Sequence, residues 1–91
     1  NKKEQYHGRI RMKVLVKFLT SYREIVGKYK EELELVPGST VRDIISIIIT
    51  KYPSLKLDKE TILILNQKIV KDNLEVKDRD VIVFSPPLGG G

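Results

Sequence analysis

Residues 40–52, TVRDIISIIITKY, form the clearest helix that the sequence predicts. Thr40 and Asp43 have the spacing of a capping box, in which a hydroxyl and a carboxylate accept from backbone amides that the first turn leaves free. The apolar positions have the spacing of a buried helix face; they are Val41, Ile44, Ile45 and Ile48, widened by Ile47 and Ile49. Because β-branched residues lower helix propensity, packing against a sheet must supply much of the stability. Pro53 ends the helix.

The segments on both sides of this helix are predicted to be strands. Their patterns are alternating or continuously apolar, and they span residues 12–19, 31–36, 61–65, 68–70 and 81–84. In the first of them, Val14, Val16 and Phe18 share one face. Asn66-Gln67 is predicted to be a tight turn between the third and fourth strands. Residues 20–30 have mixed polarity and are predicted to be a connector with one helical turn.

This order of elements predicts the fold. One helix must cover one face of a mixed sheet, because no other predicted element can bury its apolar stripe. The first two strands are expected to form a hairpin, and the last strand is expected to lie parallel to the first. The sequence therefore predicts an α+β fold of the β-grasp, or ubiquitin-like, type, with four to five strands and one main helix packed on one face.

Composition indicates a small globular domain without covalent cross-links. The chain has 91 residues, of which 32% are charged and 41% hydrophobic, as in soluble single domains. It contains no cysteine, which excludes disulfides and thiolate chemistry and allows a reducing, cytoplasmic location. No apolar run approaches the roughly 20 residues of a membrane span, and the first residues have no signal-peptide pattern. We expect no membrane association.

The net charge of +5 is concentrated at the start of the chain. Residues 1–11 contain four basic residues and one acidic residue, which account for three of the five net charges. They are expected to form a flexible basic arm or to be a remnant of cloning. The domain itself is predicted to span residues 12–85. Nucleic-acid binding is not expected, because stacking aromatics are not interleaved with the basic residues.

The last six residues, 86–91, read PPLGGG and are predicted to form an extended tail. Glycine has no Cβ, so Gly89, Gly90 and Gly91 can enter a channel that excludes side chains. Six extended residues reach about 20 Å at roughly 3.3 Å each. The pattern indicates that the terminal carboxylate is a reactive group delivered into a partner. The alternative is a frayed tail or linker.

Four segments are similar to one known family. They are REIVG at 23–27, PGSTVRDI at 37–44, ILN at 64–66 and FSPPLGGG at 84–91. With these segments, residues 12–91 resemble the MoaD and ThiS group of ubiquitin-like sulfur carriers, which includes the ubiquitin-related and small archaeal protein modifiers. The proline pair and the length are more similar to the MoaD branch, the small subunits of molybdopterin synthase.

Three positions depart from the pattern of this group. Ser85 stands where an aromatic often precedes the prolines, which puts in doubt how closely the partner surface matches that of MoaD. Gln67 and Arg79 stand in turns that often carry glycine. Because non-glycine residues rarely adopt positive φ, we expect an altered geometry in these two turns.

The resemblance implies that the chain is a carrier and not an enzyme. An activating, adenylating enzyme of the kind that acts on ubiquitin would use ATP to adenylate the Gly91 carboxyl. Sulfur would then replace AMP to give a thiocarboxylate, which the large subunit of molybdopterin synthase would use in molybdenum cofactor biosynthesis. The alternatives are conjugation to lysines of target proteins through Gly91, or sulfur delivery for thiamine or tRNA thiolation. No bound cofactor and no metal site are expected.

Partner contacts are expected along the tail and at one apolar patch. Pro86 and Pro87 fix φ and stiffen the start of the tail, Leu88 is a candidate anchor, and Gly89 and Gly90 keep the approach of Gly91 clear. Further candidates are Phe84, Leu63 and Leu65. In the run 61–65 the two leucines share one face, which is expected to be an exposed patch if the helix covers the other. The alternatives are that Phe84 belongs to the core and that a loop covers the leucines.

Overall fold

The computed structural model describes residues 11–87, and in this part of the chain seven helices and strands are formed. They are β1 (Met12–Phe18), α1 (Thr20–Val26), β2 (Lys30–Leu35), α2 (Val41–Lys51), β3 (Ile62–Leu65), β4 (Lys68–Ile69) and β5 (Val81–Ser85). The strands form one sheet in the order β2-β1-β5-β3-β4. β1 and β5 are parallel, and the other neighbouring pairs are antiparallel. This is the β-grasp topology, and the predicted fold is confirmed.

The predicted helix is present as α2, with Thr40 as its N-cap residue and Tyr52 as its C-cap residue. The capping box is formed: the Thr40 amide donates to the Asp43 carboxylate at 2.8 Å, and the Asp43 amide donates to the Thr40 hydroxyl at 3.4 Å. Val41, Ile44 and Ile48 are fully buried, and Ile45 and Ile47 are partly buried. The apolar stripe is narrower than predicted, because Ile49 is 40% exposed.

The connector after β1 contains a helix of seven residues, α1, where the sequence predicts one helical turn. Its N-cap residue makes no side-chain capping bond, so the local pattern for a helix start is weak. The helix is held by burial of Tyr22 in the core and ends at Gly27, which has φ 85° and donates its amide to the Arg23 carbonyl at 2.9 Å. Tertiary packing and a left-handed C-cap therefore form a helix that periodicity does not reveal.

The two turns without glycine keep a left-handed backbone, so the expectation of altered geometry is wrong. Asn66 and Gln67 have φ of 48° and 76°, as a two-residue hairpin requires, and Arg79 has φ of 73°. Side-chain hydrogen bonds hold these conformations: Asn66 donates to Asp80 at 2.8 Å and accepts from the Val81 amide at 2.9 Å. The hydrogen bonds thus stabilise a left-handed backbone that glycine would adopt without steric cost.

We expect Arg79→Gly to stabilise the domain by up to about 1 kcal/mol, since it removes the cost of a left-handed non-glycine residue. Urea unfolding followed by circular dichroism measures the change. Lys77→Gly is the matched control, because it removes the same charge from the same turn at a residue whose φ is not positive. It should destabilise by about 0.5–1 kcal/mol. Equal effects of the two changes would contradict the prediction.

Candidate functional site

The tail leaves the sheet from its central strand. β5 ends at Ser85, and because β5 is parallel to β1, the tail starts at the end of the sheet where β1 also ends. The Leu19 amide donates to the Phe84 carbonyl at 3.1 Å, and the Ser85 hydroxyl donates to the Pro86 carbonyl at 3.0 Å. Pro86 is partly buried and Pro87 is exposed. The first proline is therefore held against the domain and the second projects from it.

The remaining tail residues of the predicted site are Leu88, Gly89, Gly90 and Gly91, and they lie outside the described residues. The expectation for the basic arm, residues 1–11, also falls outside them, except for Arg11. What the structure shows of the site is the first two residues of the tail, Pro86 and Pro87, together with the surfaces around them.

A hydrogen bond that the sequence did not predict connects the elements on both sides of the tail's origin. The Tyr22 hydroxyl of α1 lies 2.8 Å from the Thr61 hydroxyl, which directly precedes β3. The bond therefore joins the helix that follows β1 to the residue that precedes β3. Since β5 lies between β1 and β3, the bond lies near the end of β5 where the tail begins. No spacing in the sequence signals this pair, since its members are 39 residues apart.

The expected partner contact of Phe84 is wrong, and its alternative as a core residue is correct. Phe84 is fully buried, and its ring lies 6.2 Å from the ring of Phe18. Alternation along β5 places Ile82 and Phe84 on the helix-covered face. The sequence could not assign the face, because every residue from Val81 to Phe84 is apolar. Phe84 anchors the strand that carries the tail.

The prediction that Leu63 and Leu65 form an exposed patch is wrong, because the face of β3 that carries them lies toward the core. Leu65 is buried, and Leu63 packs against the core, because the two leucines pair with Phe84 and Ile82 of β5. Their neighbours Ile62 and Ile64 lie on the other face. The run 61–65 is apolar at nearly every position, so its pattern does not say which set faces the helix.

The face of the sheet that α2 does not cover carries its own apolar surface, which we call the open apolar face. It consists of Leu15, Ile62, Ile64, Ile69, Val81 and Val83. Ile69 is 77% exposed, and the others are partly buried. Part of this surface lines a shallow depression of about 360 Å³, together with the neighbouring Lys17, Asn66 and Gln67. Its shape suits contact with a protein surface better than enclosure of a small molecule.

The ion pair with the best geometry lies at the opposite end of the molecule from the tail. Arg42, near the start of α2, donates to both carboxylate oxygens of Asp72, at 3.1 and 3.3 Å. This hydrogen bond raises the pKa of Arg42 and lowers the pKa of Asp72. The other end of α2 lies near the tail's origin, since Tyr52 packs edge-on against Phe18. The Arg42–Asp72 pair therefore holds the helix start at a distance from the tail's origin.

The described part of the chain spans residues 11–87. In this range, no group of three or more His, Cys, Asp and Glu side chains could hold a metal ion. Neither helix in the same range is long and apolar enough to cross a membrane.

Comparison with known proteins identifies the family. Residues 16–91 match the model of the ThiS family, from the middle of β1 to the last glycine. The chain belongs to the ThiS family. The MoaD and ThiS resemblance of the sequence is thereby confirmed.

Proteins similar to this chain carry two kinds of name. A molybdopterin synthase sulfur carrier subunit from Chlamydomonas reinhardtii is 32% identical over 83 residues, which are 88% of this chain and 100% of the relative. One from Caenorhabditis briggsae is 32% identical over 81 residues, 86% of this chain and 96% of the relative. The solution structure of small archaeal modifier protein 1 from Methanosarcina acetivorans has a TM-score of 0.75 and 27% identity, and the match covers 90% of this chain and 99% of that one. The curated relatives are carrier subunits, not catalytic subunits.

Proposed function

We propose that this ThiS-family chain is a sulfur carrier and that its sulfur is held at the Gly91 carboxyl. The observation that carries the proposal is the family match, which extends through Gly91. The names of the curated relatives, sulfur carrier subunits at 32% identity, support it. The fold supports it as well, because a rigid central strand presents the tail at one end of the sheet.

The chemistry requires an activated carboxyl group, because a carboxylate has a poor leaving group and repels nucleophiles. The Gly91 carboxylate attacks the α-phosphorus of ATP held by an activating enzyme, and pyrophosphate leaves. Sulfide then attacks the acyl adenylate, AMP leaves with the bonding electron pair, and a thiocarboxylate remains. The chain binds no cofactor in this cycle, and ATP belongs to the activating enzyme. We place the cycle in the cytoplasm, because its first step consumes ATP.

The sulfur acceptor that we propose is the large subunit of molybdopterin synthase, in molybdenum cofactor biosynthesis. Support comes from the two relatives named as subunits of that enzyme. The proline pair stiffens the start of the tail and reduces the entropy lost when a partner's channel orders it. Gly89 and Gly90 present backbone groups to the walls of that channel.

The test supplies the purified chain with ATP, sodium sulfide and an adenylating enzyme of the kind that activates such carriers. Intact mass spectrometry should show that one oxygen atom is replaced by sulfur, and fragmentation should place the change on Gly91. Omission of ATP is the control and should leave the mass unchanged. If a panel of such enzymes loads a known sulfur carrier and never this chain, the proposal fails.

A second candidate function is conjugation to lysines of other proteins. The likeness to small archaeal modifier protein 1 favours it, and the same Gly91 adenylate would acylate a lysine amine instead of sulfide. Cells should then contain isopeptide adducts that end in Gly91 and that vanish when Gly90 and Gly91 are deleted. Adducts that persist after the deletion would exclude this candidate.

We further propose that the open apolar face docks on the activating enzyme while the tail enters its active site. Ile62 pairs with Ser85, and Val83 is two residues before the end of β5. The open apolar face is therefore continuous with the origin of the tail, and one partner surface can contact both. An exposed apolar surface of this kind is typical of a protein interface.

Ile69→Glu should weaken binding to the activating enzyme about five- to tenfold, because it places a charge in an apolar contact. Stability should change little, since Ile69 is 77% exposed. Leu74→Glu is the matched control: Leu74 is 44% exposed and lies outside the sheet. Calorimetric titration measures both affinities. Equal losses in the two variants would contradict the assignment of this face.

A further inference from the structure

Two basic side chains lie over one exposed aromatic ring where β1, α1 and β2 meet. The Lys17 Nζ lies 5.7 Å from the centre of the Tyr29 ring, and the Arg23 guanidinium lies 5.2 Å from it. Tyr29 is 41% exposed, and Lys28 and Lys30 adjoin it in the chain. We call Lys17, Arg23, Lys28 and Lys30 the Tyr29 cation cluster.

Three of the four members of this cluster form no ion pair within residues 11–87. Among these residues, Lys28 is the member that forms an ion pair, with Glu31 at 3.4 Å, and Glu31 also pairs with Lys51. Lys17 and Lys30 are direct partners across β1 and β2. Like charges directly opposite one another on a sheet destabilise it. The domain keeps this repulsion, and a bound anion would relieve it.

The cluster also changes the expectation about aromatic residues. The expectation that no stacking aromatic is interleaved with the basic residues is wrong, because Tyr29 lies between Lys28 and Lys30. However, two cations already lie over its ring, so a stacked nucleobase would have to displace them. The arrangement therefore fits carboxylates that approach the cations better than it fits a nucleic acid that stacks on the ring.

The position of Lys17 links the cluster to the open apolar face. Lys17 lines the same shallow depression as Ile64, Val81 and Val83. A protein that covers these apolar side chains necessarily brings its rim close to Lys17 and its cross-strand partner Lys30. A rim that carries Asp or Glu side chains at this position would be attracted to the cluster, whereas a basic rim would be repelled.

We propose that the Tyr29 cation cluster binds a group of Asp and Glu side chains at the rim of the protein that docks on the open apolar face. This deepens the proposed function, on which it rests for the identity of that protein as the activating enzyme. The attraction between the cluster and the acidic rim accelerates association and fixes the orientation in which the tail reaches its channel.

The test compares two double variants with the same change in net charge. Lys17→Gln with Lys30→Gln removes the cross-strand pair, and Lys56→Gln with Lys59→Gln removes two exposed lysines from the loop between α2 and β3. The first pair should slow association with the activating enzyme about three- to tenfold at low salt, and the difference should vanish at high salt. The second pair should have a much smaller effect. Equal effects, or an effect that does not depend on salt, would overturn the proposal.

A stability measurement separates a binding role from a structural role. Because Lys30 repels Lys17, Lys30→Gln should leave the urea midpoint unchanged or raise it while it weakens binding. A residue with a structural role would lower both. A fall in the urea midpoint together with the loss of binding would therefore count against the proposal.

A titration that does not depend on sulfur loading separates this proposal from the proposed function. A chain without Gly90 and Gly91 cannot carry sulfur there, but a short poly-glutamate peptide should still shift the backbone amide resonances of Lys17, Tyr29 and Lys30. The shifts should disappear in the Lys17→Gln, Lys30→Gln variant. Absence of shifts overturns the proposal, and so does tighter binding of an oligouridine RNA than of the peptide.

Discussion

Gly90→Val should reduce sulfur loading of the chain about 100-fold, the size of effect that a small misplacement of a reacting group produces. The valine adds a branched side chain directly before the reacting Gly91. A channel shaped for a backbone without Cβ atoms would hold the Gly91 carboxyl away from the ATP phosphate. The initial rate of thiocarboxylate formation, followed by intact mass spectrometry, measures the effect.

The control for this change is Gly89→Ala, which adds one methyl group a residue further from the carboxyl. It should reduce the rate only a few-fold. Both variants should unfold at the wild-type urea concentration, because β5 ends at Ser85, before the tail. If Gly90→Val is loaded at the wild-type rate, the tail does not react inside a narrow channel, and the role assigned to the glycines is wrong.

Phe84→Ala should destabilise the domain by about 3–5 kcal/mol, since it opens a cavity at a fully buried position. Small domains have about 5–15 kcal/mol of stability in total, so much of the folded population could be lost at physiological temperature. The cavity would lie against Phe18 at the end of the sheet from which the tail leaves. Urea unfolding followed by circular dichroism gives the change in the free energy of unfolding.

The neighbouring residue provides the control. Val83→Ala alters the same strand on the partly exposed face and should cost about 1 kcal/mol or less. Phe84→Leu retains most of the apolar volume and should remain folded. Because Phe84 belongs to the core, the Phe84→Leu chain should bind the activating enzyme with wild-type affinity. A specific loss of binding in this folded variant would restore Phe84 as a contact residue.

The structure confirms the features that were predicted from strong local sequence patterns. The capping box of Thr40 and Asp43, the stripe of Val41, Ile44 and Ile48, and the Asn66-Gln67 hairpin each depend on residues close together in the chain. Local chemistry determines such features. The α1 helix is longer than the single predicted turn, because its stability comes from Tyr22 in the core and from a glycine C-cap, neither of which produces a helical period.

The candidate site likewise has one part that local sequence predicts and one part that it does not. The tail pattern and the family could be recognised from residues alone, because a proline pair followed by glycines indicates a stiff start and an end that fits a narrow channel. The open apolar face could not be recognised. A strand that is apolar at every position has no alternation, and the pairing of Leu63 with Phe84 decides which side chains enter the core.

The sequence by itself determined the β-grasp order of elements, the capped helix and the ThiS-family tail, because each is encoded within a short segment. Only the tertiary structure decided that Phe84 and Leu65 are core residues, that Ile62 and Ile64 face outward, and that Lys17 and Arg23 lie over the Tyr29 ring. The physical reason is that strand register and the parallel pairing of β1 with β5 bring distant residues together, and no local pattern fixes either of them.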